Sequence, residues 1–166
     1  KGHHIFNPAT LGLLVSLGLF GLGDVWWAAA GWNIAGATFP AMALLVVASY
    51  RADKLKASVP FLAVVAALYI ATGFVPVQFT AAGLFAFASS LPYYGAFIML
   101  SEPKTSPFKP REQAIFGIGV ALLYFALDFS SVKYSFFIAL LAGNLGYALY
   151  RSRQVQPQLQ PRQQQR

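Results

Sequence analysis

Apolar residues recur in long runs from one end of the chain to the other, separated by short polar or proline-marked breaks. The runs lie at 8–30, 33–50, 59–74, 78–100, 112–129 and 134–150. Each is close to the roughly 17–25 residues that a helix needs to cross a hydrocarbon core. The pattern therefore predicts an all-α integral membrane protein of about six transmembrane helices. Asn7 suits an N-cap, and Pro8 suits the first helical turn, where its missing N–H costs nothing. Gly12, Gly18, Gly21 and Gly23, with Ser16, make the first run a small-residue helix of the kind that packs closely in lipid. Trp26, Trp27 and Trp32 mark an interfacial belt. Pro40 predicts a kink in the second run, and Val75-Pro76 a tight turn after the third.

The fourth run is interrupted at Ser89-Ser90-Leu91-Pro92. A broken helix at membrane depth is tolerated inside protein or beside a cavity, so the break reads either as a binding feature or as a simple proline kink. Residues 151–166 are rich in Gln, Pro and Arg with almost no apolar side chains, which predicts a disordered tail.

Composition agrees with lipid as the solvent. Of 166 residues, 57% are hydrophobic and only 10% are charged, against about 25% charged in ordinary soluble domains. The net charge of +7 is placed unevenly. With six spans, Lys1, Arg51, Lys54, Lys56, Lys104, Lys109, Arg111, Arg151, Arg153, Arg162 and Arg166 fall on one side and Lys133 on the other. The positive-inside rule puts the first group in the cytoplasm, with both termini, in the cell (inner) membrane. Orientation explains the basic residues without nucleic acid, which would need a basic face on a soluble domain. Cysteine is absent, which excludes disulfides and thiolate-held metals. No signal peptide is visible, and the start at Lys1, just before a motif, leads us to expect that an N-terminal part precedes it.

Few residues point to chemistry. Asp24 and Asp128 lie near the outer ends of spans and read as solvated rather than as an ion path. His3 and His4 lack a second ligand set, so no metal site is expected. Gly36-Ala37-Thr38 matches the Gly-Ala-Thr around flavinylated threonines, but it opens a span without a preceding acidic loop and reads as helix packing. The segment Phe97-Ile-Met-Leu-Ser-Glu-Pro-Lys-Thr-Ser-Pro107 joins a helix end, a polar loop and a new helix start, which Thr105 and Ser106 are placed to cap. Helix N-termini attract anionic or electron-rich atoms. The starts at Asn7-Pro8 and after Ser106, on one side, either face a shared cleft or are ordinary caps beside water. No nucleophile–base pair or phosphate-binding glycine loop appears, so hydrolytic or transfer chemistry is not expected.

These segments carry a resemblance. His4-Ile-Phe-Asn-Pro-Ala-Thr-Leu-Gly12 is similar to the Phe-Asn-Pro-Ala element of the RnfD/NqrB family, the membrane subunits of Rnf and of sodium-pumping NADH:quinone reductase. Phe97–Pro107, Ile115-Phe-Gly-Ile-Gly119 and Phe136-Phe-Ile-Ala-Leu-Leu-Ala-Gly-Asn-Leu145 resemble three later elements in the family's order, and together they cover most of 3–150. The resemblance implies two related helical halves, flavin cofactors and electron transfer coupled to ion movement. The chain looks like the second half, so the first lies upstream of Lys1 or comes from a partner. The long outer loop that carries covalent flavin in the family is missing between the first two spans, which argues against covalent FMN. A non-covalent FMN or riboflavin, a quinone, or no cofactor at all remain as alternatives. The residues that would hold a cofactor are Asn7, Pro8, Ser101, Glu102, Pro103, Thr105 and Ser106.

Three functions compete. The preferred one is a membrane subunit of an electron-transport complex, at most a redox subunit of an oxidoreductase. The second is a cofactor-free accessory subunit of a photosynthetic or respiratory supercomplex, suited by an aromatic content of 16%. The third is transport through paired broken helices, which this chain cannot enclose alone. Lipid and other membrane subunits are the expected partners.

Overall fold

A computed structural model describes residues 5–20 and 38–159. Among them every regular element is helical: α1 Pro8–Phe20, α2 Thr38–Arg51, α3 Leu55–Thr72, α4 Ala81–Ser90, a π-helical turn Gly95–Met99, α5 Pro110–Phe129 and α6 Ser135–Leu159. The expectations on His3, His4, Gly21, Gly23, Asp24, Trp26, Trp27, Trp32, Gly36 and Ala37 lie outside the described residues, as do 160–166.

The bundle is built on α3 and α5. Buried positions on α3 are Ala57, Ser58, Phe61, Val65 and Tyr69; on α5 they are Gln113, Phe116, Gly117, Val120, Ala121 and Tyr124. Both sets recur every three or four residues, which puts each on one helix face. The two faces meet closely because Gly117 lies against the backbone of Ala57: a Cβ there would sit 2.2 Å from the Ala57 carbonyl oxygen. α6 packs on α5 where Gly143 lies against Phe116 and Val120 and Phe136 meets Tyr124, and α1 lies on α6. Phe136, at the start of α6, packs its ring over Gly95 of the π turn. Small residues do set the packing distance, but at Gly95, Gly117 and Gly143. Gly12 and Gly18 of α1, expected to serve this role, face open space within the described chain.

Element ends follow local chemistry. α3 stops at Thr72 because Gly73 takes the left-handed conformation (φ 66°) that closes a helix, two residues before the expected end. It also starts earlier than expected, at Leu55, and carries Pro60 inside. The break in the fourth run falls as read. Leu91 precedes Pro92 and is extended (φ −77°, ψ 141°), because a proline ring crowds helical geometry at the residue before it. The expected disordered tail differs in part, since α6 runs on through Leu159.

The surface is apolar where soluble bundles are polar. Leu19, Phe20, Leu44, Ile115 and Phe79 are all more than half exposed, whereas Thr10, Ser49, Ser58, Gln113 and Asn144 are buried. Against six expected spans, two of the described helices, α3 and α5, are long and apolar enough to cross a membrane, with 28% and 33% of their apolar stretches buried, while α1, α2 and α4 are shorter. Such burial is low for the core helices of a soluble protein.

Candidate functional site

The start of α1, the loop between α2 and α3 and the loop between the π turn and α5 meet at one end of the bundle. Asn7 caps α1: its Oδ1 accepts the Thr10 N–H at 3.0 Å, as the sequence suggests. Its Nδ2 reaches across the bundle and donates to the Met99 carbonyl at 3.0 Å. That carbonyl ends the π turn, in which the Leu100 N–H bonds to the Gly95 carbonyl five residues back. Pro8 is exposed at the first turn of α1.

The loop after the π turn is folded in on itself. Ser101 Oγ donates to the Phe97 carbonyl, and Ser106 Oγ donates to the Glu102 carbonyl at 2.7 Å. Thr105 Oγ1 donates to the Glu102 carboxylate at 3.3 Å. Ser101, Thr105 and Ser106 are buried, whereas Pro103 and Lys104 are exposed. Thr105 and Ser106 therefore close their own turn and do not cap α5, contrary to the sequence reading. Pro110 sets that helix start: it forces Lys109 into extended geometry (φ −73°, ψ 136°), and no side chain caps it.

Lys54, in the loop before α3, is the bolt of this assembly. It is 1% exposed, and its ammonium donates to the carbonyls of Pro107 at 2.5 Å and Ser106 at 3.4 Å. The Phe108 ring lies 4.4 Å from the same nitrogen, within cation–π reach. Loss of hydration pushes the Lys54 ammonium below the usual lysine range, partly offset by the neighbouring Asp53 carboxylate. Gln113 adds a second tie, donating to the carbonyls of Asp53 at 3.0 Å and Phe108 at 3.1 Å. Deeper in, Ser58 Oγ donates to the Ala96 carbonyl at 2.6 Å and lies 3.3 Å from Ser49 Oγ, joining α2, α3 and the π turn. Tyr147 of α6 donates to Glu112 at 3.4 Å. The opposite end is tied by Asp128, which accepts from Tyr69 at 3.0 Å and Ser135 at 3.1 Å; Tyr69 also meets Tyr124 at 3.0 Å.

The fold thus brings the two sequence-marked segments, Asn7-Pro8 and Ser101–Ser106, to one place. Their polar side chains are bonded within the chain and support the end of the bundle. Among the described residues, Thr10 Oγ1, Gln113 Oε1 and both polar atoms of Asn144 are buried and meet no hydrogen-bond partner. Asp128 is held by tyrosine and serine rather than simply solvated. Among the described residues no three His, Cys, Asp or Glu side chains gather as a metal set.

The sequence reading missed Lys54 and Gln113. A lysine in a short polar loop gives no sign that it will turn inward. Gln113 does give one, since it shares the buried face of Phe116, Gly117 and Val120. No protein-family model, no curated protein and no solved structure matches this chain.

Proposed function

We propose that the chain is an integral membrane subunit of an electron-transport complex of the RnfD/NqrB type, with six spans and the Lys54 end of the bundle in the cytoplasm. The carrying observation is the meeting of Asn7 with Met99, 92 positions apart, which joins the two most distinctive motif segments of the resemblance. The membrane reading draws support from exposed apolar flanks over a partly polar interior, the inverse of a water-facing bundle. Arg51, Lys54, Lys56, Lys104, Lys109 and Arg111 lie in loops or helix ends that the hydrogen bonds above join, Arg151 lies on α6 one turn beyond the Tyr147 that bonds Glu112, and Lys133 lies beside the Asp128 end. That segregation is what the positive-inside rule asks of a spanning bundle.

In this reading a non-covalent flavin (FMN or riboflavin) or a quinone lies against the frame of Asn7, Pro8 and the Ser101–Ser106 turn, with Glu102, Pro103 and Lys104 on its outer side. The cofactor supplies the redox chemistry, and the protein positions it and excludes water. The native complex, isolated in mild detergent, then absorbs at about 450 nm and releases flavin on denaturation. A quinone in place of the flavin would instead appear in an organic extract.

A second reading is favoured by one observation: Asn7, Ser101, Thr105 and Ser106 are buried and already bonded inside the chain. They could then be purely architectural, and the chain a cofactor-free accessory subunit that contacts other membrane subunits. A complex that retains this chain but yields neither flavin nor quinone selects that reading.

A further inference from the structure

α5 and α6 leave a groove between them that changes character along its length. Its inner part, about 390 Å³, runs between Ile115 and Gly119 on α5 and Gly143 and Gly146 on α6. Gly119 and Gly146 form open floor, because a Cβ at either would meet nothing within 4 Å. Its outer part, about 300 Å³, is flanked by Lys109, Arg151 and Gln154. Glu112, Tyr147 and Tyr150 line both parts, so the two are continuous. On α5 the groove extends from Glu112 to Val120, roughly 12 Å of helix at about 1.5 Å per residue.

The outer part is built for an anion. Two cations, Lys109 and Arg151, stand against the single carboxylate of Glu112. Glu112 is itself held by Lys109 at 3.3 Å and by the Tyr147 hydroxyl at 3.4 Å, and the lining carries two basic side chains to one acidic. Gln154 and Tyr150 are bonded to each other at 2.7 Å beside it and offer further polar hydrogens. An apolar groove leading to a basic mouth at the bundle's basic end has the polarity of one amphiphile.

We infer that this groove binds an acidic glycerophospholipid, with one acyl chain along Gly119, Gly143 and Gly146 and the phosphate between Lys109 and Arg151. The inference rests on the membrane orientation proposed above. Basic pockets between spans on the cytoplasmic side are suited to acidic head groups, and each surface cation there strengthens anionic lipid binding about fivefold.

The test uses the full chain, purified in mild detergent, delipidated, and titrated with phosphatidylglycerol, phosphatidylcholine of matched chains, or glycerol phosphate, read by native mass spectrometry. The expected result is one retained phosphatidylglycerol, preferred over phosphatidylcholine. Arg151→Gln and Lys109→Gln should each lower that preference about fivefold. Gly119→Leu and Gly146→Leu, which fill open space, should lower retention of both lipids. Equal retention of the two lipids, unchanged preference in both charge variants, or glycerol phosphate binding as tightly as the lipid would overturn the inference, as would a groove occupied by a second copy in a lipid-free dimer. Alkaline carbonate washing separates the two failures. A chain that stays in the membrane pellet but retains no phosphatidylglycerol refutes the lipid site alone, and a chain released by the wash refutes the membrane reading beneath it.

Discussion

Gly117→Ala adds one methyl group at the closest approach in the bundle. The new carbon would sit 2.2 Å from the Ala57 carbonyl oxygen, 3.1 Å from its carbon and 3.3 Å from its Cα. All three are backbone atoms of α3, so no side chain can swing aside and the helices must part by about 1 Å to restore ordinary contact. Overpacking of this kind costs about 1–3 kcal/mol, and a backbone obstacle argues for the upper half. Alanine recovers about 1 kcal/mol through helix propensity. The net expectation is a loss of about 1–2 kcal/mol, or roughly 2–8 °C in apparent Tm for a chain of this size. Gly119→Ala and Gly146→Ala are the controls, because each gains the propensity term and meets nothing within 4 Å. Circular dichroism melts of the three variants in one detergent make the comparison. If Gly117→Ala melts with or above the Gly119→Ala control, the close α3–α5 contact is not as described.

Other substitutions report on the basic end. Asn7→Ala removes a helix cap and the bond to Met99 together, so it should cost more than the roughly 0.5–2 kcal/mol of a cap alone; denaturant titration measures it. Lys54→Met leaves the Ser106 and Pro107 carbonyls without their donor, at about 1–3 kcal/mol, and should speed proteolytic cutting within 102–109. Lys54 also carries a pH signature. Its folded-state pKa is depressed, so the unfolded chain binds more protons, and stability should rise with pH through the window that ends near the ordinary lysine value of 10.5. The Lys54→Met variant should lose that slope, and a parallel stability–pH curve for the two proteins would contradict the buried site.

What was legible in the sequence was what depends on local pattern. Apolar runs located the helices, Asn7 announced its cap, and Pro92 announced the break because its effect on Leu91 is steric and immediate. Gly73 was an available stop signal that the Val75-Pro76 turn overshadowed. Misreadings arose where two local signals competed. Thr105 and Ser106 look like caps, yet Pro110 starts the helix later and leaves them free to bond Glu102. Tertiary partners were not legible at all. Nothing near Lys54 in the chain shows that two carbonyls from residues 106 and 107 will meet it, and no periodicity marks Gly117 rather than Gly12 as the contact glycine. Nor does the sequence near Gly95 show that the Phe136 ring will arrive from α6 to cover the π turn.

The central claim, that the Lys54 end of the bundle faces the cytoplasm across a membrane, has a direct test because the chain has no cysteine of its own. Single cysteines replacing Lys56, Lys104 and Lys133, all exposed, can be labelled in intact cells with a membrane-impermeant maleimide. The account predicts labelling of the Lys133 site from outside, with the Lys56 and Lys104 sites reacting only after lysis. Labelling of the Lys56 and Lys104 sites from opposite faces would contradict it.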